Sequence, residues 1–218
     1  GPMVSVLAVI AGLGVALAIY ALSFRGGVAG TRLILVGIGI SAMLDSIVAF
    51  VLSRAPSWDL AEAMRWLTGS VNGAQLSQAL PLLVSLAVFG GLLVSRARDL
   101  ESLRLGDDAA AALGTNVPLT RVLVVVAAVG LIAVATAVTG PVAFVAFLSG
   151  PIAARILGPN GSVLIPAGLV GAVLVLGGDY IGQFLLPARF PVGVVTGALG
   201  APYLLYLIMR ANRAGDSM

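Results

Sequence analysis

The 218-residue chain contains no cysteine, no histidine and no lysine. Without Cys and His it cannot build imidazole or thiolate metal sites, a Cys nucleophile, a Ser-His triad or a disulfide. Without Lys the phosphate-binding loop G-x-x-x-x-G-K-[ST] is excluded. Charge is scarce as well: 10% of residues are charged, where a soluble domain carries about 25%. Twelve arginines against nine acids leave +3, too small and too dispersed a balance for nucleic acid. Asp107-Asp108 is the only adjacent carboxylate pair, and no second acidic motif accompanies it to hold a magnesium–diphosphate substrate. Neither catalysis nor a cofactor or resident metal is expected of this chain.

What the chain has is apolar length. It is 60% hydrophobic, with runs longer than the ~18 residues that mark a transmembrane helix. The expected fold is all-α, a polytopic transmembrane bundle of about seven spans forming one domain over residues 1–218. Residues 1–24 lack the basic n-region of a signal peptide and are followed by further spans. Spans are expected at Gly1–Phe24, Leu33–Leu52, Leu76–Ser95, Thr120–Thr139, Val142–Leu157, Ser162–Leu185 and Phe190–Met209. Val122–Ala154 is uncharged throughout and as one helix would reach ~50 Å against a core of about 30 Å, so Gly140-Pro141 must break it.

Arginine placement sets the orientation through the positive-inside rule. With the C-terminus cytoplasmic, Arg25, Arg32, Arg96, Arg98, Arg104, Arg121, Arg155, Arg210 and Arg213 lie inside or at the inner boundary. Only Arg54, Arg65 and Arg189 lie outside. The polar stretch between the third and fourth spans (99–117) then faces the cytosol. Its alanines favour a short helix over Ala109–Leu113. Asp107 or Asp108 is expected to cap its start and Gly114 to end it at C′. A short capped helix exposed between spans suits docking to a soluble partner.

Glycine and proline cluster where helices break. Phe190–Pro202 reads as a half-helix, a break and a longer helix, and Met64–Gly73 as a short amphipathic or re-entrant piece at the outer surface. Broken backbone at membrane depth survives only where protein buries it or water lines it. A translocation route lined by Thr68, Ser70, Asn72 and Thr196 is one reading of this pattern. Close helix packing is the other, because Gly178-x-x-x-Gly182 and Gly193-x-x-x-Gly197 have small-xxx-small spacing. Asp45 and Asp179 are intramembrane carboxylates, each costing about 2.5–3.5 kcal/mol if left facing lipid at mid-span. Each needs a cavity, an interface or a hydrogen-bond partner; a proton or cation site is the alternative.

Three stretches together resemble one family. Leu105-Gly-Asp-Asp-Ala-Ala-Ala-Ala-Leu-Gly114, Thr139-Gly-Pro-Val-Ala-Phe-Val-Ala-Phe-Leu-Ser-Gly-Pro-Ile-Ala-Ala-Arg155 and Phe190-Pro-Val-Gly-Val-Val-Thr-Gly-Ala-Leu-Gly-Ala-Pro-Tyr203 match, in order and spacing, the FecCD-type permeases. These belong to binding-protein-dependent ABC importers of ferric siderophores, haem and vitamin B12. The resemblance implies a ten-helix permease of the bacterial inner membrane. It would work as a homo- or heterodimer with a second permease subunit, beside cytosolic ATP-binding subunits, with a periplasmic or lipid-anchored binding protein delivering an iron chelate. It places ATPase coupling on Gly106, Asp107, Asp108, Ala109, Leu113 and Gly114, and docking of the binding protein on Arg54, Arg65 and Arg189. The family's usual Pro-His is Pro151-Ile152 here, which leans toward a siderophore over cobalamin. The first match falls near the family's fourth helix, implying that this chain is a piece of such a permease. Two alternatives stay open: an ion- or proton-coupled secondary transporter using Asp45 or Asp179, and a non-transporting, interaction-only truncated fragment, favoured solely by the missing helices.

Overall fold

A computed structural model describes residues 2–23, 30–158 and 161–215. Among the orientation-setting arginines, Arg25 lies outside the described residues, as do the side chains of Arg210 and Arg213. Helix α1 is Pro2–Ser23, α2 Gly30–Ser53 and α3 Ser57–Leu67. Next, α4 (Leu76–Ser85), a π turn (Leu86–Gly90) and α5 (Gly91–Ser95) run on as one span. Two short helices follow, α6 (Ala97–Leu103) and α7 (Asp107–Ala112), then α8 (Val117–Thr139) and α9 (Val145–Leu157). Helix α10 (Leu164–Tyr180) also ends in a π turn (Ile181–Leu185), and α11 is Val192–Gly215.

Five of these units are long and apolar enough to cross a membrane: Val6–Ser23, Arg32–Ser53, Leu76–Ser95, Val117–Thr139 and Leu164–Leu185. Two shorter apolar helices, Val145–Leu157 and Val192–Leu207, complete the set. The expected apolar elements are therefore in place. At 13 residues, α9 reaches only ~20 Å and cannot span the hydrocarbon alone.

The helices pack in two groups. In the first, α8 lies against both α1 and the α4–α5 span, while α2 leans on α1. In the second, α10 packs on both α9 and α11. Glycines set the closeness of both. The π turn after Pro81 aims the Phe89 ring at Gly130 of α8, where a Cβ would meet ring atoms at 2.7 Å. A Cβ on Gly178 would lie 3.1 Å from the Thr196 methyl and 3.2 Å from Val192 of α11. Gly182 in the second π turn accepts 3.0 Å from the Phe190 amide, and a Cβ there would strike the Phe190 carbonyl. At Gly178 and Gly182 close packing is what the glycine spacing serves. The partner motif is split: Gly193 is crowded, whereas Gly197 has nothing within 4 Å.

One expectation fails. Phe190–Pro202 is not a half-helix and a break; α11 runs unbroken from Val192, with Pro202 inside it. The interruption falls earlier, where Leu186 turns extended after the π turn. Neighbouring helices let a transmembrane helix keep an interior proline, because local adjustments satisfy the carbonyl it leaves free. Phe144, in the left-handed region at φ 64, starts α9 with its side chain against Gly200 of α11.

The crowded and open glycines of α10 give a paired test. Gly182→Ala is expected to cost about 1–3 kcal/mol through overpacking, whereas Gly177→Ala, open on all sides, should gain up to ~1 kcal/mol from helix propensity. Thermal unfolding in detergent checks both; equal shifts would contradict the packing account.

Candidate functional site

The candidate site has two parts, one at each end of α8. At its start, α6 and α7 form a short hairpin. Gly106 enters α7 at φ 101, and Asp107 and Asp108 stand in the first helical turn. Neither caps the helix through its side chain; that role falls to Gly106, with no side-chain bond. The expected aspartate cap does not form because the helix already starts at Asp107, which puts both acids inside its first turn; the Asp107 carboxylate turns to Arg121, accepting from its guanidinium at 2.7 Å. Acids in the first turn still complement the positive end of the helix dipole.

The end of α7 follows the expectation closely. Gly114 is at C′ with φ 88, its amide bonds to Ala111 and the Thr115 amide reaches back to Ala110, both at 3.0 Å. This is a complete Schellman closure. Thr115 also meets Ser102 of α6 at 2.9 Å, and Asn116 caps α8 by accepting from the Leu119 amide at 3.2 Å. Ala110 is fully buried, whereas Leu105 and Leu113 are 69% and 67% exposed. The hairpin thus holds α7 firmly and leaves Asp108, Leu105 and Leu113 facing outward.

At the far end of α8, three backbone segments cross. Helix α3 finishes with Gly69 at C′, φ 69, its amide on the Trp66 carbonyl. The next amide, of Ser70, would close a Schellman motif on Arg65. Instead it donates 2.8 Å to the carbonyl of Thr139, the last residue of α8, and the Thr68 hydroxyl takes the Arg65 carbonyl at 2.7 Å. The Gly69 carbonyl in turn accepts 3.1 Å from the Gly193 amide in the first turn of α11. No side chain fits in this crossing. A Cβ on Gly69 would strike the Pro141 carbonyl, one on Gly140 (φ 72) the Trp66 carbonyl, and one on Gly193 the Thr68 carbonyl. We call this crossing the glycine clasp. An apolar cavity of about 760 Å³ is lined by residues of α4, α8, α9 and α10 and includes Thr139 and Gly140 in its wall.

The sequence-picked polar residues divide around the clasp. Thr68 and Ser70 belong to it, and the Ser70 hydroxyl accepts 3.1 Å from the Asn72 amide. Asn72 is exposed in the turn beyond. Thr196 is 5% exposed, its hydroxyl 3.3 Å from the Gly193 carbonyl. Arg65 stands one helical turn before the clasp and Arg189 just ahead of α11, both exposed. Arg54, at the end of α2, lies over the Phe50 ring at 4.8 Å. None of the three forms an ion pair among the described residues.

The two intramembrane carboxylates differ. Asp179 Oδ2 accepts 2.7 Å from Gln183, while its Oδ1 is buried without a partner. Asp45 is exposed midway along α2, a helix with none of its span buried. Gln183 and Arg121 are the functional partners that sequence reading missed. The i,i+4 spacing of Asp179 and Gln183 on one helix signals the first pair; nothing local signals the second, which closes a loop.

An all-helical bundle of long apolar helices, with a short polar helix braced at the foot of one of them, defines a polytopic membrane-protein fold. The FecCD transport family model matches residues 2–210, and the chain belongs to that family. It is 38% identical over 214 residues to the ferric enterobactin transport system permease protein FepG of Escherichia coli (strain K12), covering 96% of this chain and 64% of that one. To the iron(3+)-hydroxamate import system permease protein FhuG of Bacillus subtilis (strain 168) it is 36% identical over 199 residues, covering 89% and 58%. A solved metal-chelate type ABC transporter in an inward-facing conformation superposes with a TM-score of 0.82 at 25% identity, over 93% of this chain and 65% of that one. The chain spans less than two thirds of the length of each of these relatives.

The closure of α7 is open to a direct check. Gly114→Ala forces a Cβ into the left-handed region and is expected to cost the α7 turn about 1–2 kcal/mol, with Gly114→Asn costing less because Asn tolerates that region. Hydrogen exchange at the Gly114 and Thr115 amides reads the difference; equal rates in both variants would refute it.

Proposed function

We infer that this chain forms the membrane-spanning permease part of an ABC importer for an iron chelate, a ferric siderophore in first place. Its membership of the FecCD family supports the class, and the cargo is read across from relatives whose names specify ferric enterobactin and iron(3+)-hydroxamate. The observation that carries the reading is α7. A short helix fixed at both ends presents Asp108, Leu105 and Leu113 on the same hairpin that ties to α8 through Asp107 and Arg121. That is the form a coupling element needs: exposed enough to be gripped by a cytosolic ATP-binding subunit, and bonded closely enough to pass on its movement. Residues 99–117 are therefore assigned as the coupling segment, on the cytoplasmic side with the C-terminus.

The opposite end carries Arg54, Arg65 and Arg189, placed to meet acidic groups on an external binding protein. Such rim charges act mostly on encounter rate. Thr68, Ser70 and Asn72 are assigned to the mouth of the path there; Thr196 is assigned to packing, since its methyl lies over Gly178. Asp179 has a hydrogen-bond partner in Gln183 on one of its oxygens, which supports a structural role. Asp45 is left for a surface that α2 meets in the assembled importer, a second permease subunit or the path itself. Hydrolysis of ATP belongs to the partner subunit. Each state of the bundle must be favoured by a differential interaction with a partner.

Affinity purification of the detergent-solubilised chain from its host tests this. Wild type is expected to bring down a nucleotide-binding ATPase, and the Asp108→Arg, Gly114→Trp double variant to lose at least about tenfold of it, a change of ~1.4 kcal/mol. Equal recovery by both, or no ATPase with either, would overturn the assignment.

A further inference from the structure

The geometry points to a mechanical linkage built into this chain: the glycine clasp makes α3, α8 and α11 one body, and α8 carries a load on α3 to α7 at the opposite membrane face. The inference deepens the permease reading and rests on it for its use, but the linkage itself lies within this chain.

Consider what each joint is made of. At the clasp the joints are main-chain hydrogen bonds, Ser70 amide to Thr139 carbonyl at 2.8 Å and Gly193 amide to Gly69 carbonyl at 3.1 Å. Both satisfy groups that the ends of α8 and α11 leave unpaired. Breaking the second leaves the buried Gly69 and Gly193 groups unpaired, a cost that loss of an apolar side-chain contact does not carry. Three glycines without room for a methyl hold the segments at backbone contact, so small relative shifts meet steric resistance at once. Among the described residues, α3 makes few other contacts with the bundle, and this crossing is its main attachment.

At the other end the joints are Asp107 to Arg121 at 2.7 Å and Ser102 to Thr115 at 2.9 Å. Between them α8 runs uninterrupted for 23 residues, ~35 Å of helix. Its only proline is Pro118 at the N-terminal turn, where the missing amide costs nothing. Helices α1 and α2 also run without interruption, whereas α4 and α10 each run into a π turn, and α4, α9 and α11 carry interior prolines. A strut fixed at both ends and stiff between them is how two surfaces on opposite faces come to share one equilibrium. The coupling must then be reciprocal.

Amide hydrogen exchange of the full chain in lipid nanodiscs tests it from both ends. Gly193→Ala drives a methyl into the Thr68 carbonyl; Gly197→Ala, one turn along the same helix with open space, is the control. In Gly193→Ala, exchange at Ser70 and Gly193 is expected to rise about tenfold and exchange across 107–115 at least about threefold, with the control within about twofold at both places. An opened clasp with unchanged exchange at 107–115, or equal acceleration in the control, overturns the linkage. Should Gly193→Ala not fold, Arg121→Gln reads the reverse direction: about two- to threefold faster exchange at Ser70 and Gly193 is expected, in keeping with a partly exposed ion pair. Acceleration at 107–115 with none at Ser70 and Gly193 overturns it equally. Coupled exchange in a chain that recovers no ATPase would defeat the permease reading alone; a recovered ATPase without coupled exchange would defeat the linkage alone.

Discussion

A peptide group without a partner in hydrocarbon costs several kcal/mol, and every helix end offers a set of them. The glycine clasp answers that constraint for this chain. Where α8 ends and α11 begins, the bundle brings in the C-terminal turn of a third helix to pair those groups. The turn gives up part of its own capping pattern to do so, passing the Ser70 amide to Thr139 and the Gly69 carbonyl to Gly193. From this follow the positions of Gly69, Gly140 and Gly193, the attachment of α3 to the bundle, and the meeting point of the two helix groups.

The other end of α8 solves a different problem with different chemistry. Around α7 water is available, so side chains can carry the contacts: a partly exposed ion pair, a hydroxyl pair and an Asn cap. Exposed ion pairs contribute up to about 1 kcal/mol each, enough to set the orientation of α7 without welding it in place. The contrast suits a subunit in which the backbone joint stays closed while the side-chain joint takes up and releases a partner.

How much of this was legible in the sequence depends on the range of the interaction. Span positions were readable because 18 or more apolar residues admit few other fates, and α4–α5 came out at Leu76–Ser95 as the uncharged run suggested. The C′ role of Gly114 was readable because a Schellman closure is local. Asp107 or Asp108 was misread as a cap because the helix starts two residues earlier than its alanines suggest, at Asp107, and the partner that Asp107 takes, Arg121, lies across a loop. The half-helix expected at Phe190–Pro202 was misread for a related reason: Gly193 and Gly200 there mark close approach to the end of α3 and the start of α9, and punctuation alone does not separate approach from interruption. The clasp joins residues from three distant stretches, so single-chain periodicity carries no trace of it. What the sequence did show was the family motif in which Gly140 and Gly193 sit.

The central claim is that α7 is gripped by an ATP-binding subunit. A photo-crosslinking residue placed at Leu113 in native membranes tests it at the contact itself. The account expects one dominant adduct, to a nucleotide-binding ATPase, that disappears when Gly114 is also replaced by Trp. An adduct exclusively with an extracytoplasmic protein, or with lipid alone, would contradict both the orientation and the coupling role.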